Sequence, residues 1–297
     1  MAADQHIELI HQYNELLYPD ILFNRPIAGL SRLHIALFGG GKRGVATLSQ
    51  LYSTVQSMGL GPTCVVEAHT VEPSVLPVGS LTLHTDRKAK QITETADVLS
   101  FISRANLAVL APEAELGSSL QILFEKIITQ TSAPIIITDE VVSLYRFLPK
   151  PHAGDGRVLF FVSSEGLMRL ANVLALPVQI RPGRGIYNTI ALVDAVAEAT
   201  GGHVTSYDAE VVVVRDHRDA LRRGIVHVAP MSVHHHRGLL LGLLAGLLVE
   251  PRQVLSSVLS KVLVAGFLFN AIMAESNGLH DPAMLERSIK DTLAREL

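Results

Sequence analysis

LHIALFGGGKRG, residues 33–44, is the stretch on which the fold turns. Six residues of mostly aliphatic character read as a buried strand when glycines close the run. The residues that follow, 45–57, carry helical periodicity, so the glycines make a strand-to-helix turn. Gly39, Gly41 and Gly44 fit G-x-G-x-x-G, a loop whose backbone N–H groups approach an anion with a helix end behind them. Gly39, Gly40 and Gly41, with the cations Lys42 and Arg43, are therefore candidate phosphate-binding residues. Close packing alone also produces such a turn, and the motif by itself leaves both readings open. A dinucleotide site wants an acid at the end of the next strand for the ribose hydroxyls, and Glu67 stands there.

Outward from this turn, aliphatic runs alternate with helical patterns. Strands are expected at 63–68, 80–84, 107–111, 134–138 and 157–162, and helices at 88–104, 116–129, 164–173 and 185–200. Three more strands are expected at 203–206, 210–215 and 224–229, the last two joined as a hairpin by a charged tip. Two apolar helices, 238–249 and 252–274, and a terminal helix at 281–295 complete the chain. Continuous aliphatic strands between helices indicate a largely parallel sheet covered on both faces, an α/β fold. Residues 4–17 read as an amphipathic helix, which makes 1–19 a helical extension of one domain, 20–297.

Composition narrows the function. The chain has 297 residues, 48% hydrophobic, 5% aromatic, and a formal charge of −3. That hydrophobicity excludes disorder, and the charge balance argues against general nucleic-acid binding. The most apolar run, 238–249, falls short of the roughly 20 residues that span a bilayer, and 258–274 carries Lys261 and Asn270. Neither reads as a membrane span. The N-terminus lacks the basic and apolar regions of a signal peptide. Cys64 is the single cysteine, which fits a reducing cytoplasm and a small core residue.

In segment order and spacing, residues 20–275 resemble the ribokinase-like ADP/ATP-dependent NAD(P)H-hydrate dehydratase family. The likeness rests on the turn at 39–44, LAVLAPEAE (107–115), APIIITDEVVSLY (133–145), RVLFFVSSEGLMRL (157–170), HVTSYDAEVVVV (203–214) and VHHHRGLLLGLLAGLL (233–248). It implies a three-layer ribokinase-like domain with a largely parallel central sheet. It also implies ADP or ATP with Mg2+, a small-molecule nucleotide partner, between the 39–44 loop and the 233–238 turn.

The landmarks themselves differ. The family's catalytic Asp falls on Gly238, and its anion-hole glycines fall on His234, His235, His236 and Arg237. The Gly-Pro-Gly turn becomes Ala111-Pro112-Glu113, His-Pro-Gly-Glu becomes Ser163-Ser164-Glu165-Gly166, and Lys-Gly becomes Ser206-Tyr207. Glycine accepts no proton, so the family mechanism needs another acid. Glu165, Asp139 and Glu140 lie at neighbouring loop ends, where each reads as a solvated acid.

The run His234–His236 does not make a metal site, because neighbouring side chains point in different directions. Anion capture at the following helix end, with Arg237 forking two oxygens, competes with a plain polar cap. Gly238, Gly242 and Gly246 share one helix face and fit close packing. The expected function is thus a diverged dehydratase-family protein, nucleotide- or phosphate-binding, with weak, altered or no dehydration of hydrated NAD(P)H. A non-catalytic scaffold or partner-binding protein, with aliphatic surface for homo-oligomer contacts, is the first alternative. An NAD(P)-binding dehydrogenase is the second.

Overall fold

The computed structural model describes residues 7–13, 15–18, 33–39, 44–67, 79–86, 91–111, 118–146, 156–177, 185–228, 232–249, 257–276 and 282–296. The order runs β1 (Glu8–Gln12), β2 (His34–Phe38), α1 (Val45–Ser57), β3 (Gly61–Glu67) and β4 (Leu81–Leu83). A small hairpin, β5 (Thr85–Asp86) and β6 (Gln91–Ile92), precedes α2 (Thr95–Ile102) and β7 (Leu107–Leu110). Then come α3 (Ser118–Gln130), β8 (Ile135–Ile137), a 3-10 turn (Val142–Arg146), β9 (Val158–Ser163), α4 (Ser164–Val173) and α5 (Ile186–Thr200). The last part holds β10 (His203–Tyr207), β11 (Val211–Arg215), β12 (Arg222–His227), α6 (Ser232–His235), α7 (Arg237–Leu248), α8 (Val258–Glu275) and α9 (Pro282–Glu296).

Ten strands form one sheet in the order β1-β12-β11-β10-β9-β8-β7-β2-β3-β4. Only β11 runs against the rest, pairing antiparallel with β10 and β12. The α/β class, the largely parallel sheet and the β11–β12 hairpin are as the sequence indicates, but Arg222 and Arg223, read as part of the tip, belong to β12.

Alternation along each strand explains the continuous apolar runs. Ile35, Leu37, Leu107, Val109, Leu159 and Phe161 face a core shared with α1, α7, α8 and Ile289 of α9. Ala36, Phe38, Ala108, Leu110, Phe160 and Val162 face the other core, with α2, α3, α4 and α5. Both faces are buried, so both register positions are largely apolar in these strands. Helix α8 is long and apolar enough to cross a membrane, but 72% of it lies inside the molecule. Its apolar surface is core.

Two expectations are corrected. Residues 8–12 form no helix: β1 pairs in parallel with β12, and its ladder meets Arg222 to Val226. ELIHQ sends alternate residues to the two faces, with Ile10 in one core and Leu9 in the other. Tertiary pairing thus overrides the helical period read there. The 88–104 helix begins only at Thr95, because Gln91 and Ile92 pair with Asp86 and Thr85.

Candidate functional site

Nine of the ten sheet strands end at one crest. Strand β2 is flanked by β3 and β7, so the chain's progress across the sheet reverses there. In open α/β sheets ligands bind outside the carboxyl ends of the strands at such a reversal. Gly39 sits at this point, and a β-carbon on it would lie 2.7 Å from Leu48 Cδ1 of α1. Close packing therefore accounts for Gly39. Gly40, Gly41, Lys42 and Arg43 lie outside the described residues, as do Pro112 and Glu113. Glu67 is the last residue of β3, where the dinucleotide reading places it.

A buried polar network crosses the ends of β8, β9 and β10. Asp139 Oδ1 accepts hydrogen bonds from the Ser163 N–H (2.9 Å) and the Ser163 hydroxyl (2.7 Å). Its Oδ2 accepts from the Tyr207 hydroxyl (3.0 Å) and from Arg237 Nη1 (3.3 Å). Arg237 also approaches Tyr207 Oη at 3.3 Å and Glu140 Oε1 at 3.5 Å. Glu140 Oε2 accepts from the Thr138 hydroxyl at 2.9 Å. The Ser163 side chain caps α4 by accepting from the Gly166 N–H at 3.0 Å. Gly166 is required here, since a β-carbon would overlap Asp139 Oδ1.

This placement corrects the solvated reading of Asp139, whose side chain is only 4% exposed. A carboxylate has about four acceptor positions. Asp139 fills them with Ser163, Tyr207 and Arg237, so it acts as an anchor and has no lone pair left for a substrate proton. Glu140 is different. Burial raises its pKa above the ordinary carboxylate range against the opposing charge of Arg237, with Asp139 adding to the rise. It keeps 23% side-chain exposure, which makes it the acid of this site with both access and a perturbed proton affinity. Glu165 is exposed in the first turn of α4, as read.

The histidines diverge. The His234 ring meets Tyr207 edge-on at 5.8 Å, His235 is exposed, and buried His236 contacts Gln50 of α1 through Nδ1 at 3.3 Å. Among the described residues no three His, Cys, Asp or Glu side chains gather as a metal site. The Tyr207 phenol stays protonated: burial raises its pKa far beyond the usual range, although the charge of Arg237 opposes this. Gly238 has no room for any side chain, because a β-carbon would overlap the Thr47 carbonyl oxygen of α1.

The overall fold superposes on known structures. The fold is ribokinase-like. A ribokinase-like superfamily protein from Enterococcus faecalis superposes with a TM-score of 0.68 at 14% identity, covering 97% of this chain and 96% of that one. The ADP/ATP-dependent NAD(P)H-hydrate dehydratase of Bacillus subtilis, co-crystallised with ATP/Mg2+ and soaked with CoA, gives 0.63 at 14% identity, covering 93% and 96%. The tetrameric inhibited form of Escherichia coli phosphofructokinase-2 gives 0.53 at 11% identity, covering 89% and 99%. No protein-family model and no curated protein matches the sequence.

One feature of the ribokinase-like crest escaped the sequence reading. A pocket of about 230 Å3 lies beside the β10–β11 turn, lined by Gly185, Ile186 and Thr189 of the α5 start and by Asp208, Glu210 and Val213. Only the acids next to Tyr207 signalled it, and exposed turn acids are too common to mark a site.

Proposed function

We propose that this chain is a ribokinase-like protein that binds a nucleotide or other phosphate-bearing small molecule along the crest, between the turn after β2 and the start of α7. We propose further that ADP/ATP-dependent dehydration of hydrated NAD(P)H is weak, altered or absent. One observation carries the reading: the Arg237 guanidinium is held over the strand ends by Asp139, Glu140 and Tyr207, at the N-terminus of an apolar helix. A fixed cation at a helix N-terminus favours an anion. Two acids stand against that one cation, so a Mg2+-bearing nucleotide fits better than a bare phosphate. Glu140 and Arg237 would hold it, and the metal would supply charge neutralisation on the phosphates.

A non-catalytic scaffold is the second reading, favoured by the occluded position at Gly238 and by the filled acceptor sites of Asp139. Melting temperatures with ADP, ATP, NAD and NADH, each with Mg2+, separate the readings. At a hundredfold excess over Kd a ligand adds about 2.7 kcal/mol, a rise of several degrees for a chain of this size. An adenine-nucleotide shift reduced by Arg237→Ala supports the first reading. No shift with any of the four leaves the scaffold, and a shift with NAD(H) alone points to the dehydrogenase.

A further inference from the structure

Two strands along the crest from Tyr207, an imidazole pair ties the edge strand β1 to β12. His11 Nδ1 lies 3.1 Å from His227 Nε2. The ring centroids are 5.4 Å apart and the planes differ by 13°. That centroid separation is close to the N···N distance plus two ring radii, so the rings meet edge to edge. The contact is therefore an in-plane N–H···N hydrogen bond. Tyr13 stacks over His227 at 4.7 Å with planes 4° apart, and its hydroxyl stands 3.5 Å from His11 Nδ1.

We propose that this pair is a proton-sensitive clasp that holds the N-terminal strand on the sheet. An N–H···N bond needs one nitrogen to keep its lone pair, so it survives with no extra proton or with one. A second proton puts two N–H donors and two positive charges face to face, and the contact must open. Burial and the charge of His11 hold the His227 pKa below the usual histidine range. Other charged groups on the packed elements are placed to do less. Glu8 and the arginines Arg222 and Arg223 lie at the opposite end of the β1–β12 ladder. On β11, Val211 pairs with His227, with the exposed Glu210 next to it and Arg215 at the far end. Asn270 of α8 donates to the His227 carbonyl at 2.7 Å, while Lys261 and Glu275 lie towards the two ends of that helix.

The direction follows from linkage. The folded state binds the second proton less readily than the unfolded chain, so the clasp is intact above about pH 6.5 and weakens as pH falls below it. Among the described residues β1 is held further by the β12 ladder, by the Glu8 N–H to Leu221 carbonyl bond (2.8 Å) and by the partly buried Leu9 and Ile10. A five-residue edge strand is stabilised little by its ladder alone. Losing the clasp therefore frees β1 before the central strands open.

Hydrogen exchange of the full chain between pH 7.5 and 5.5, corrected for intrinsic rates, tests this. Protection over 8–12 should fall, by at most about tenfold for the one pH unit below the ordinary histidine value, while β2 and β9 keep theirs. His227→Gln, whose amide pairs with imidazole but does not titrate, should remove that pH dependence. Imidazole 15N spectra of the unaltered protein give a second reading that needs no variant, and His227 should titrate below pH 6.5. Protection of β1 that is independent of pH, that falls together with β2 and β9, or that keeps its pH dependence in His227→Gln would overturn the proposal. So would a His227 that titrates at or above the ordinary value.

Discussion

Gly238 of α7 rests directly on the Thr47 carbonyl oxygen of α1. The same face continues with Gly242, where a β-carbon would lie 2.7 Å from Thr54 Cβ, and with Gly246, where it would overlap Met58. Backbone at the contact cannot rotate aside, so overpacking outweighs the helix propensity gained by replacing glycine. Gly238→Ala should cost about 1–3 kcal/mol in urea unfolding. Gly238→Asp should cost more and should yield no dehydratase turnover, although the resembling family has its acid there. Gly238→Asp with unaltered stability would show that α1 yields.

The Asp139 network makes a graded prediction. Tyr207→Phe removes two hydrogen bonds, one to Asp139 and one from Arg237, and should cost about 1–3 kcal/mol. Asp139→Ala strips the buried acceptor from Ser163, Tyr207 and Arg237 together and should cost about 3–5 kcal/mol. Gly166→Ala should resemble the second, since its β-carbon takes the space of Asp139 Oδ1. Equal midpoints for Tyr207→Phe and Asp139→Ala would show that the carboxylate anchors nothing.

Why was the sheet legible and the site less so? LHIALF and RVLFFV declare themselves because both of their faces are buried, which leaves an unbroken apolar run. Arg237 and Gly238 were marked by segment order, and the glycine stripe by its spacing. Asp139 was found but read as solvated, because TDE after a strand looks the same whether or not a serine, a tyrosine and an arginine converge on it. Those partners come from 24, 68 and 98 residues away. ELIHQ is not legible as a strand because its partner among the described residues, β12, lies more than 200 residues further along the chain, Glu8 pairing with Arg222. Local pattern encodes burial, and pairing across the chain decides the rest.

At the opposite end of β10, buried His203 sits 3.0 Å from Asp216 Oδ1 through Nδ1 and 3.0 Å from the Gly156 carbonyl through Nε2. Asp216 Oδ2 also accepts from the Val258 N–H at the start of α8 (2.8 Å). Burial disfavours the carboxylate, but the bonds from His203, Arg218 and Val258 outweigh it, and the pKa falls below the ordinary value. A depressed carboxyl pKa stabilises the fold above the unfolded value, about 3.9, and that contribution is lost as pH falls through the folded value. Urea midpoints between pH 6 and 2.5 should therefore drop below about pH 4, and Asp216→Asn should flatten that drop while starting from a lower midpoint. An unchanged acid slope in Asp216→Asn would place the acid sensitivity elsewhere.

Cys64 offers an alkaline counterpart with a chemical readout, since it is the chain's single cysteine. It lies on β3 beside Leu37 of β2, 1% exposed. Burial pushes its thiol up to about 12, only partly offset by a hydrogen bond with Ser80. Against an ordinary thiol near 8.5, the native thiolate at pH 8 is scarcer on the order of a thousandfold. A disulfide reagent should therefore label the folded protein at least that much more slowly than the urea-unfolded chain, which should take up one equivalent. The sign for stability is the reverse of Asp216. A raised acid pKa stabilises fully below the unfolded value and is lost as pH rises above it, by about 1.4 kcal/mol one unit beyond. Cys64→Ala should remove that alkaline increment at the cost of a small cavity, and rapid labelling of the native protein would show that β3 opens readily.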